Sequence, residues 1–188
     1  VLRRYPGRLP FWEVRPRAGN ETRRDLTGNA LRGILAEYIV GLATRAHHTT
    51  RTEWEAYDLE TPQGVKIEVK SAAYVQSWAQ KGPSRIAFSI KPSRAWDAQS
   101  GAYAQAQRRQ ADVYVFCLLH HRERESIDPL NMDQWTFYVM SAADLDAGLG
   151  TQKSLSLARL CALGAQEVPF EELDKAIARV AHAAPVVI

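Results

Sequence analysis

Apolar residues recur at helical spacing in one long segment near the front of the chain. Between residues 28 and 46 they fall every three or four positions, which places them along one face of a helix. Thr27 stands directly before this segment, where a hydroxyl side chain can accept a hydrogen bond from the first helical turn. The pattern therefore predicts a helix over residues 28–46, capped by Thr27, with this apolar face: Ala30, Leu31, Ile34, Leu35, Tyr38, Ile39 and Leu42.

Alternation of apolar and polar residues follows the helix and predicts strands. Residues 53–60 and 65–71 read as two strands joined by a tight turn, in which Pro62 suits the second position and Gly64 tolerates positive φ. Residues 85–91 read as a third strand that continues an antiparallel meander. Its alternating apolar positions are Ile86, Phe88 and Ile90.

The turn also predicts the register of the hairpin. If Gly64 takes the left-handed conformation in a three-residue loop, Thr61 pairs with Val65. Counting outward from that pair places Asp58 directly opposite Glu68. Opposed residues of antiparallel strands share a face, so the two carboxylates are expected to lie within about 5 Å of each other.

The second half of the chain predicts a further alternation of helices and strands. Residues 101–111 read as a helix, and residues 112–119 are apolar at nearly every position, as in a strand covered on both faces. The remaining elements are a strand near 134–140, a short helix capped at 141–144, a strand at 154–157 and a terminal helix at 170–182.

Element order and length together predict the fold class. A helix, a three-strand antiparallel meander, a second helix and a buried fourth strand describe an α/β fold in which helices flank a mixed sheet. A chain of 188 residues suits one domain. Its expected parts are a basic arm at residues 1–26, a core at 27–119 and additions at 120–188. No apolar run approaches the roughly 20 residues that cross a membrane.

Charge and cysteine content add two expectations. Residues 1–52 contain ten arginines and four acids, a net charge of +6 that a phosphate backbone would attract. A solvated arm is an equally good explanation of that charge.

The two cysteines, Cys117 and Cys161, fit buried small hydrophobes better than a disulfide framework or a zinc site. No secretory signal is visible, so a reducing cytoplasm is the expected location.

The predicted register brings charges together that require compensation. Asp58 and Glu68 repel each other by about 4 kcal/mol at an effective dielectric of about 20. Lys70, on the same face, can supply the positive charge alone, or a divalent cation can be held by both carboxylates and a nearby backbone oxygen. Such a cation would favour phosphodiester hydrolysis, because it polarises a phosphoryl oxygen and acidifies bound water. A charged solvent-facing strand is the alternative reading.

The motif as a whole resembles a known superfamily. Asp58, nine intervening residues, and then Glu68-Val69-Lys70 in a strand after a hairpin resemble the PD-(D/E)XK nucleases, which have a restriction-endonuclease-like fold. The resemblance covers roughly residues 28–119 and includes the order of helix, three-strand meander, helix and fourth strand. Tyr57 stands where the motif's name has proline.

The resemblance implies a magnesium-dependent endodeoxyribonuclease. Asp58 and Glu68, together with the Val69 carbonyl, would bind Mg²⁺, with Mn²⁺ as an expected substitute. Lys70 would assist the attacking water. DNA is the expected partner, RNA is a second candidate substrate, and a homodimer is compatible with the resemblance.

Two further residues take roles by the same resemblance. Glu37 is the only acid of helix 28–46 and would support the metal or its waters, with Gly33 and Gly41 leaving space beside it. Gln76 would help to hold substrate or water. The rival hypothesis is a catalytically inactive module of the same fold that holds nucleic acid within a larger defence or repair assembly.

Aromatic and basic residues also interleave close to the motif. Rings can stack on bases and cations can meet phosphates, so the pattern indicates a nucleic-acid surface, although core tryptophans explain part of it. The residues are Trp78, Lys81, Arg85, Lys91, Arg94 and Trp96.

Overall fold

The computed structural model describes residues 26–46, 57–94, 96–97, 102–103, 105 and 107–183. The predicted basic arm lies outside these ranges except for Leu26, and so do residues 53–56 of the first predicted strand. In chain order the elements are α1 (Asn29–Thr44), β1 (Leu59–Glu60), β2 (Lys66–Ala73), β3 (Ala87–Ser89), β4 (Trp96–Asp97), β5 (Ala102–Tyr103), β6 (Val113–Leu119), β7 (Trp135–Ser141), α2 (Ala142–Leu149), β8 (Ser154–Ser156), α3 (Leu157–Ala162), β9 (Gln166–Val168) and α4 (Leu173–Ala183).

A five-stranded mixed sheet forms the centre of the fold, in the order β1-β2-β6-β7-β9. β2 and β6 pair in parallel, whereas the other neighbours pair antiparallel. All seven residues of β6 are buried, because apolar side chains on both of its faces enter the core. The predicted buried strand and the α/β class with a mixed sheet are confirmed.

Each face of the sheet is covered by a different layer. On one face Ile67 and Val69 pack in a core with Leu35 and Ile39 of α1 and Ile177 of α4. On the other face β3, β8, α2 and α3 supply the cover. Its buried members include Phe88, Phe116, Leu145, Leu155 and Leu160. Helices thus lie on both sides of the sheet, as its apolar patterning requires.

The β1–β2 hairpin has the predicted register. Leu59 lies opposite Ile67, and the Thr61 amide donates to the Val65 carbonyl at 3.0 Å. Gly64 has φ of 83°, the left-handed conformation that the three-residue loop requires. By the same register Asp58 lies opposite Glu68, at the point where β1 begins.

The third predicted strand was placed wrongly. β3 is extended, but it pairs antiparallel with β8 in a separate two-stranded sheet instead of continuing the meander. β6 occupies the edge of β2 that a third meander strand would need. The alternation at Ile86, Phe88 and Ile90 correctly indicated one buried face, and that face packs onto the sheet instead of joining it.

The helix predicted at residues 101–111 is also wrong. β5 pairs with β4, and Arg108 forms a β-bridge with Ser93. Arg109 is buried, and its guanidinium pairs with the Asp146 carboxylate and donates to the Gly150 carbonyl at 2.9 Å. These long-range contacts override the helical propensity of the alanine- and glutamine-rich segment.

The start of α1 differs from the prediction in its cap. Gly28 is the N-cap residue and no side chain caps the helix. Thr27 instead uses its backbone carbonyl, which accepts a hydrogen bond from Arg32 at 2.8 Å. The predicted apolar face is only partly covered: Leu35 and Ile39 are buried, whereas the exposed members are Leu31, Ile34 and Leu42.

The elements near the C-terminus follow the prediction. Ser141 caps α2, because its hydroxyl accepts a hydrogen bond from the Asp144 amide at 3.0 Å. β7, β8 and α4 occur where strands and a terminal helix were expected. Cys117 is buried as predicted, but Cys161 is exposed, and both thiols are free. Among the described helices, none has the length and apolar character that crossing a membrane requires.

The conformation of Gly64 gives a stability test. Gly64→Ala should destabilise the protein by about 1–2 kcal/mol, because a Cβ is disfavoured in the left-handed region. Gly33→Ala is the matched control: it lies in α1 with nothing within 4 Å of the added Cβ, and should stabilise by about 0.5–1 kcal/mol. Urea unfolding of both variants measures these changes. Equal effects would contradict the assigned turn.

Candidate functional site

Glu68 and Lys70 form the centre of the candidate site. Both project from the same face of β2, because side chains two residues apart in a strand point the same way. The Lys70 ammonium donates a hydrogen bond to the Glu68 carboxylate and forms an ion pair with it. The two side chains are 27% and 19% exposed, for Lys70 and Glu68 respectively, so solvent and a ligand can reach the pair.

Asp58 joins this pair from the neighbouring strand. Its Oδ2 accepts a hydrogen bond from the Val69 amide at 2.8 Å. The amide and the carbonyl of a strand residue point towards the same edge, so the Val69 carbonyl also lies on the Asp58 side of β2. The structure therefore brings together the predicted carboxylates, lysine and backbone oxygen at one edge of β2.

The donor set can be compared with what a metal ion requires. Asp58, Glu68 and the Val69 carbonyl offer hard oxygen ligands. In the part of the chain that the structure describes, no three His, Cys, Asp or Glu side chains are grouped to hold a metal. Mg²⁺ commonly takes one or two carboxylates and keeps several waters, so the residues present fit this cation without a third acid.

Glu60 is the other acid of the hairpin and is engaged elsewhere. Its Oε2 accepts a hydrogen bond from the Tyr57 hydroxyl at 2.6 Å. The Lys66 ammonium lies 5.3 Å from the centre of the Tyr57 ring. Glu60 is two residues after Asp58 and lies opposite Lys66 rather than Glu68. Because it is an acid of the same hairpin that lies away from Glu68, substitution of Glu60 is a control for substitution of Asp58.

Gln76 occupies a structural position. It is buried, and its Oε1 accepts a hydrogen bond from Arg32 at 3.3 Å. Its Nε2 donates to the Ala73 carbonyl at 2.8 Å and to the Ser84 hydroxyl at 3.3 Å. The amide thus ties α1 to the end of β2, and none of its contacts within the described residues reaches Glu68.

Arg32 is an unusual partner, because it is a buried cation. Only 3% of the residue is exposed, and burial lowers the pKa of Arg32 to about 10. Its guanidinium donates to Asn29 Oδ1 at 2.7 Å as well as to Thr27 and Gln76, all of them uncharged acceptors. Buried guanidinium groups need such acceptors, so Gln76 has a clear structural task.

Glu37 lies on α1, half-buried. α1 packs against the face of β2 formed by Ile67 and Val69, whereas Glu68 alternates to the other face. A Cβ at Gly33, one turn before Glu37, would meet nothing within 4 Å, so the predicted open space is present on that side. The role of Glu37 at a metal stays a prediction.

Tyr114 lies beside the candidate site and was not predicted from the sequence. This residue lies directly beside Glu68 in the parallel register of β2 and β6, and it is 3% exposed. Burial, and after it the negative charge of Glu68, raises the pKa of Tyr114 above its ordinary value. The only feature of the sequence that could have indicated Tyr114 was its hydroxyl group within the apolar run of β6. The sequence did not indicate that Glu68 is its neighbour, because the parallel pairing of β2 with β6 joins segments far apart in the chain.

Aromatic and basic groups gather where β2 and β6 end. Parallel strands end at the same edge, and there Arg124 donates to the Trp78 carbonyl at 2.9 Å. The Arg122 guanidinium lies 4.2 Å from the centre of the Tyr74 ring. Trp78 is 53% exposed. The other predicted members with described side chains, all exposed, are Lys81, Arg85, Lys91 and Arg94.

Comparison with known protein families shows the family to which the chain belongs. The family model described as bacteriophage T4 endonuclease IV matches residues 13–158, well over half of the chain. The chain belongs to the bacteriophage T4 endonuclease IV family. The segment matched by the endonuclease IV family contains every candidate residue from Glu37 to Gln76, together with Tyr114. A search of curated proteins found no match. Membership of the endonuclease IV family supports the nuclease class predicted from the sequence.

The position of Gln76 gives a test that separates structure from catalysis. Gln76→Leu should destabilise the protein by about 1–3 kcal/mol, because Arg32 loses a buried acceptor. Removing both polar partners, in Arg32→Met with Gln76→Leu, should cost less than the two single changes added together. Urea unfolding measures both. A Gln76→Leu protein of full stability that has lost only activity would contradict this assignment.

Proposed function

We propose that this member of the endonuclease IV family is a metal-dependent PD-(D/E)XK nuclease that hydrolyses phosphodiester bonds in DNA. The observation that carries the proposal is the register that sets Asp58 opposite Glu68, with the Asp58 carboxylate bonded to the Val69 amide. Membership of a family named for an endonuclease supports the reaction class. The ion pair of Lys70 with Glu68 supports the predicted motif.

The metal would be held by Asp58, Glu68 and the Val69 carbonyl. When bound, Mg²⁺ supplies Lewis-acid polarisation of the phosphoryl group and lowers the pKa of a bound water. The protein's own contribution is to hold the two carboxylates close together. The Val69 amide fixes the Asp58 carboxylate through a charge-assisted hydrogen bond, which is stronger than a neutral one.

Lys70 would orient the attacking water and stabilise charge on the phosphate. Its ammonium has three donor hydrogens, and the described contact with Glu68 uses one of them. The side chain is partly exposed, so water and a phosphate oxygen can reach the remaining donors. A fixed positive charge beside the reacting phosphate is more effective than solvent, because it needs no reorganisation during the reaction.

The surface at the ends of β2 and β6 supports a nucleic-acid substrate. Arg122 and Arg124 lie beside Trp78 and Tyr74, which combines cations for phosphates with rings for bases. Lys81 and Arg85 are exposed in the segment that follows Trp78. This surface begins where β2 ends, a few residues beyond Lys70, so a strand bound there would pass close to the candidate site.

Substitution of the site residues tests the proposal. Lys70→Ala should reduce cleavage by about 10²–10⁴-fold, the usual contribution of a group that assists proton transfer. Asp58→Asn should abolish metal-dependent cleavage, because an uncharged amide is a poor ligand for Mg²⁺. Glu60→Gln, the matched control, should cut as well as the unmodified protein, since Glu60 bonds to Tyr57. The assay compares duplex, single-stranded and branched DNA and RNA, with Mg²⁺, Mn²⁺ or a chelator.

Two outcomes would overturn the proposal in different ways. Undiminished cleavage by folded Lys70→Ala and Asp58→Asn proteins would reject the assigned site. A protein that cuts none of these substrates with either metal, yet binds nucleic acid in a salt-sensitive manner, would support the inactive binding module instead.

A further inference from the structure

Tyr114 is a buried tyrosine whose hydroxyl has no hydrogen bond in the described part of the chain. Its neighbour in the parallel register is Glu68, and both side chains lie on the same face of the sheet. The Tyr114 ring stacks on Phe116, with ring centres 6.0 Å apart. Because Glu68 is its neighbour on this face, Tyr114 borders the candidate site.

A second tyrosine on the same face has the same kind of neighbour. Tyr138 of β7 is also buried and lies in register beside Glu167 of β9. Burial, and after it the negative charge of Glu167, raises the pKa of Tyr138. Buried tyrosine hydroxyls generally find a hydrogen-bond partner. For Tyr114 the carboxylate on the adjacent strand, Glu68, is the neighbour that can serve as this partner.

We propose that Tyr114 is a positioning residue for Glu68: in the metal-loaded protein its hydroxyl donates a hydrogen bond to the Glu68 carboxylate and fixes its orientation. The inference rests on the proposed function and extends it by a residue outside the motif. Carboxylates that bind metals are themselves held by outer hydrogen-bond donors. Lys70 is a donor to Glu68 in this structure, and Tyr114 would add a donor from the adjacent strand β6.

Tyr114→Phe is the test, because it removes the hydroxyl and keeps the packed ring. Mn²⁺ affinity measured by calorimetry without DNA should fall by about 10–100-fold, the usual effect of losing an outer-shell partner. The unfolding midpoint without metal should not change, since the hydroxyl makes no described hydrogen bond. Tyr138→Phe is the matched control: it removes a buried hydroxyl that lies in register beside a different carboxylate, Glu167, and should bind Mn²⁺ as the unmodified protein does.

The outcomes separate this inference from the proposed function. If the unmodified protein binds Mn²⁺, Asp58→Asn does not, and Tyr114→Phe binds with full affinity, the role of Tyr114 is wrong while the metal site stands. If the unmodified protein and Asp58→Asn bind Mn²⁺ equally, the metal site is wrong and the role of Tyr114 is wrong with it. Equal losses in Tyr114→Phe and Tyr138→Phe would likewise reject a specific role.

Discussion

Seven consecutive residue pairs join β2 to β6 in parallel, from Ile67 with Val113 to Ala73 with Leu119. This ladder is the constraint on which the candidate site depends. β6 is buried along its whole length, so it fixes β2 in the middle of the core. Alternation then decides the rest: Val69 points into the core on one side, and Glu68 and Lys70 must point to the other.

The opposite edge of β2 shows how the site is built into the hairpin. Two residues of β1 pair with β2. Beyond them the Asp58 side chain provides the acceptor for the next backbone donor of β2, because its carboxylate accepts a hydrogen bond from the Val69 amide. A charged acceptor at this place satisfies a backbone donor and brings a second carboxylate beside Glu68. Lys70 offsets part of the repulsion between the two acids, because its ammonium forms an ion pair with Glu68.

Local chemistry explains what the sequence predicted well. Pro62 and Gly64 define the turn, and the turn alone sets the register between Asp58 and Glu68, so four residues of the site followed from a stretch of about a dozen. The cap of α2 was also predicted from local sequence, because Ser141 directly precedes the helix that it caps. These features depend on neighbours in sequence, which a pattern of residue types can report.

The features that were predicted wrongly or missed depend on residues far apart in the sequence. β3 finds its partner in β8, more than sixty positions away, and Arg109 is held by Asp146 rather than by a helix of its own. The bond between the Gln76 amide and Arg32, 44 positions away, was likewise not indicated by the sequence, and the role of Gln76 at substrate or water stays a prediction. Tyr114 was missed because its place beside Glu68 follows from a pairing between distant strands. Such contacts are set by the whole core, and a local pattern cannot specify them.

Anomalous diffraction from crystals containing Mn²⁺ would show whether Asp58 and Glu68 converge on one cation. A peak is expected at roughly 2.1 Å from a carboxylate oxygen of each residue and from the Val69 carbonyl. Ordered Asp58 and Glu68 side chains that hold no ion between them, with Mn²⁺ bound elsewhere on the protein, would contradict it.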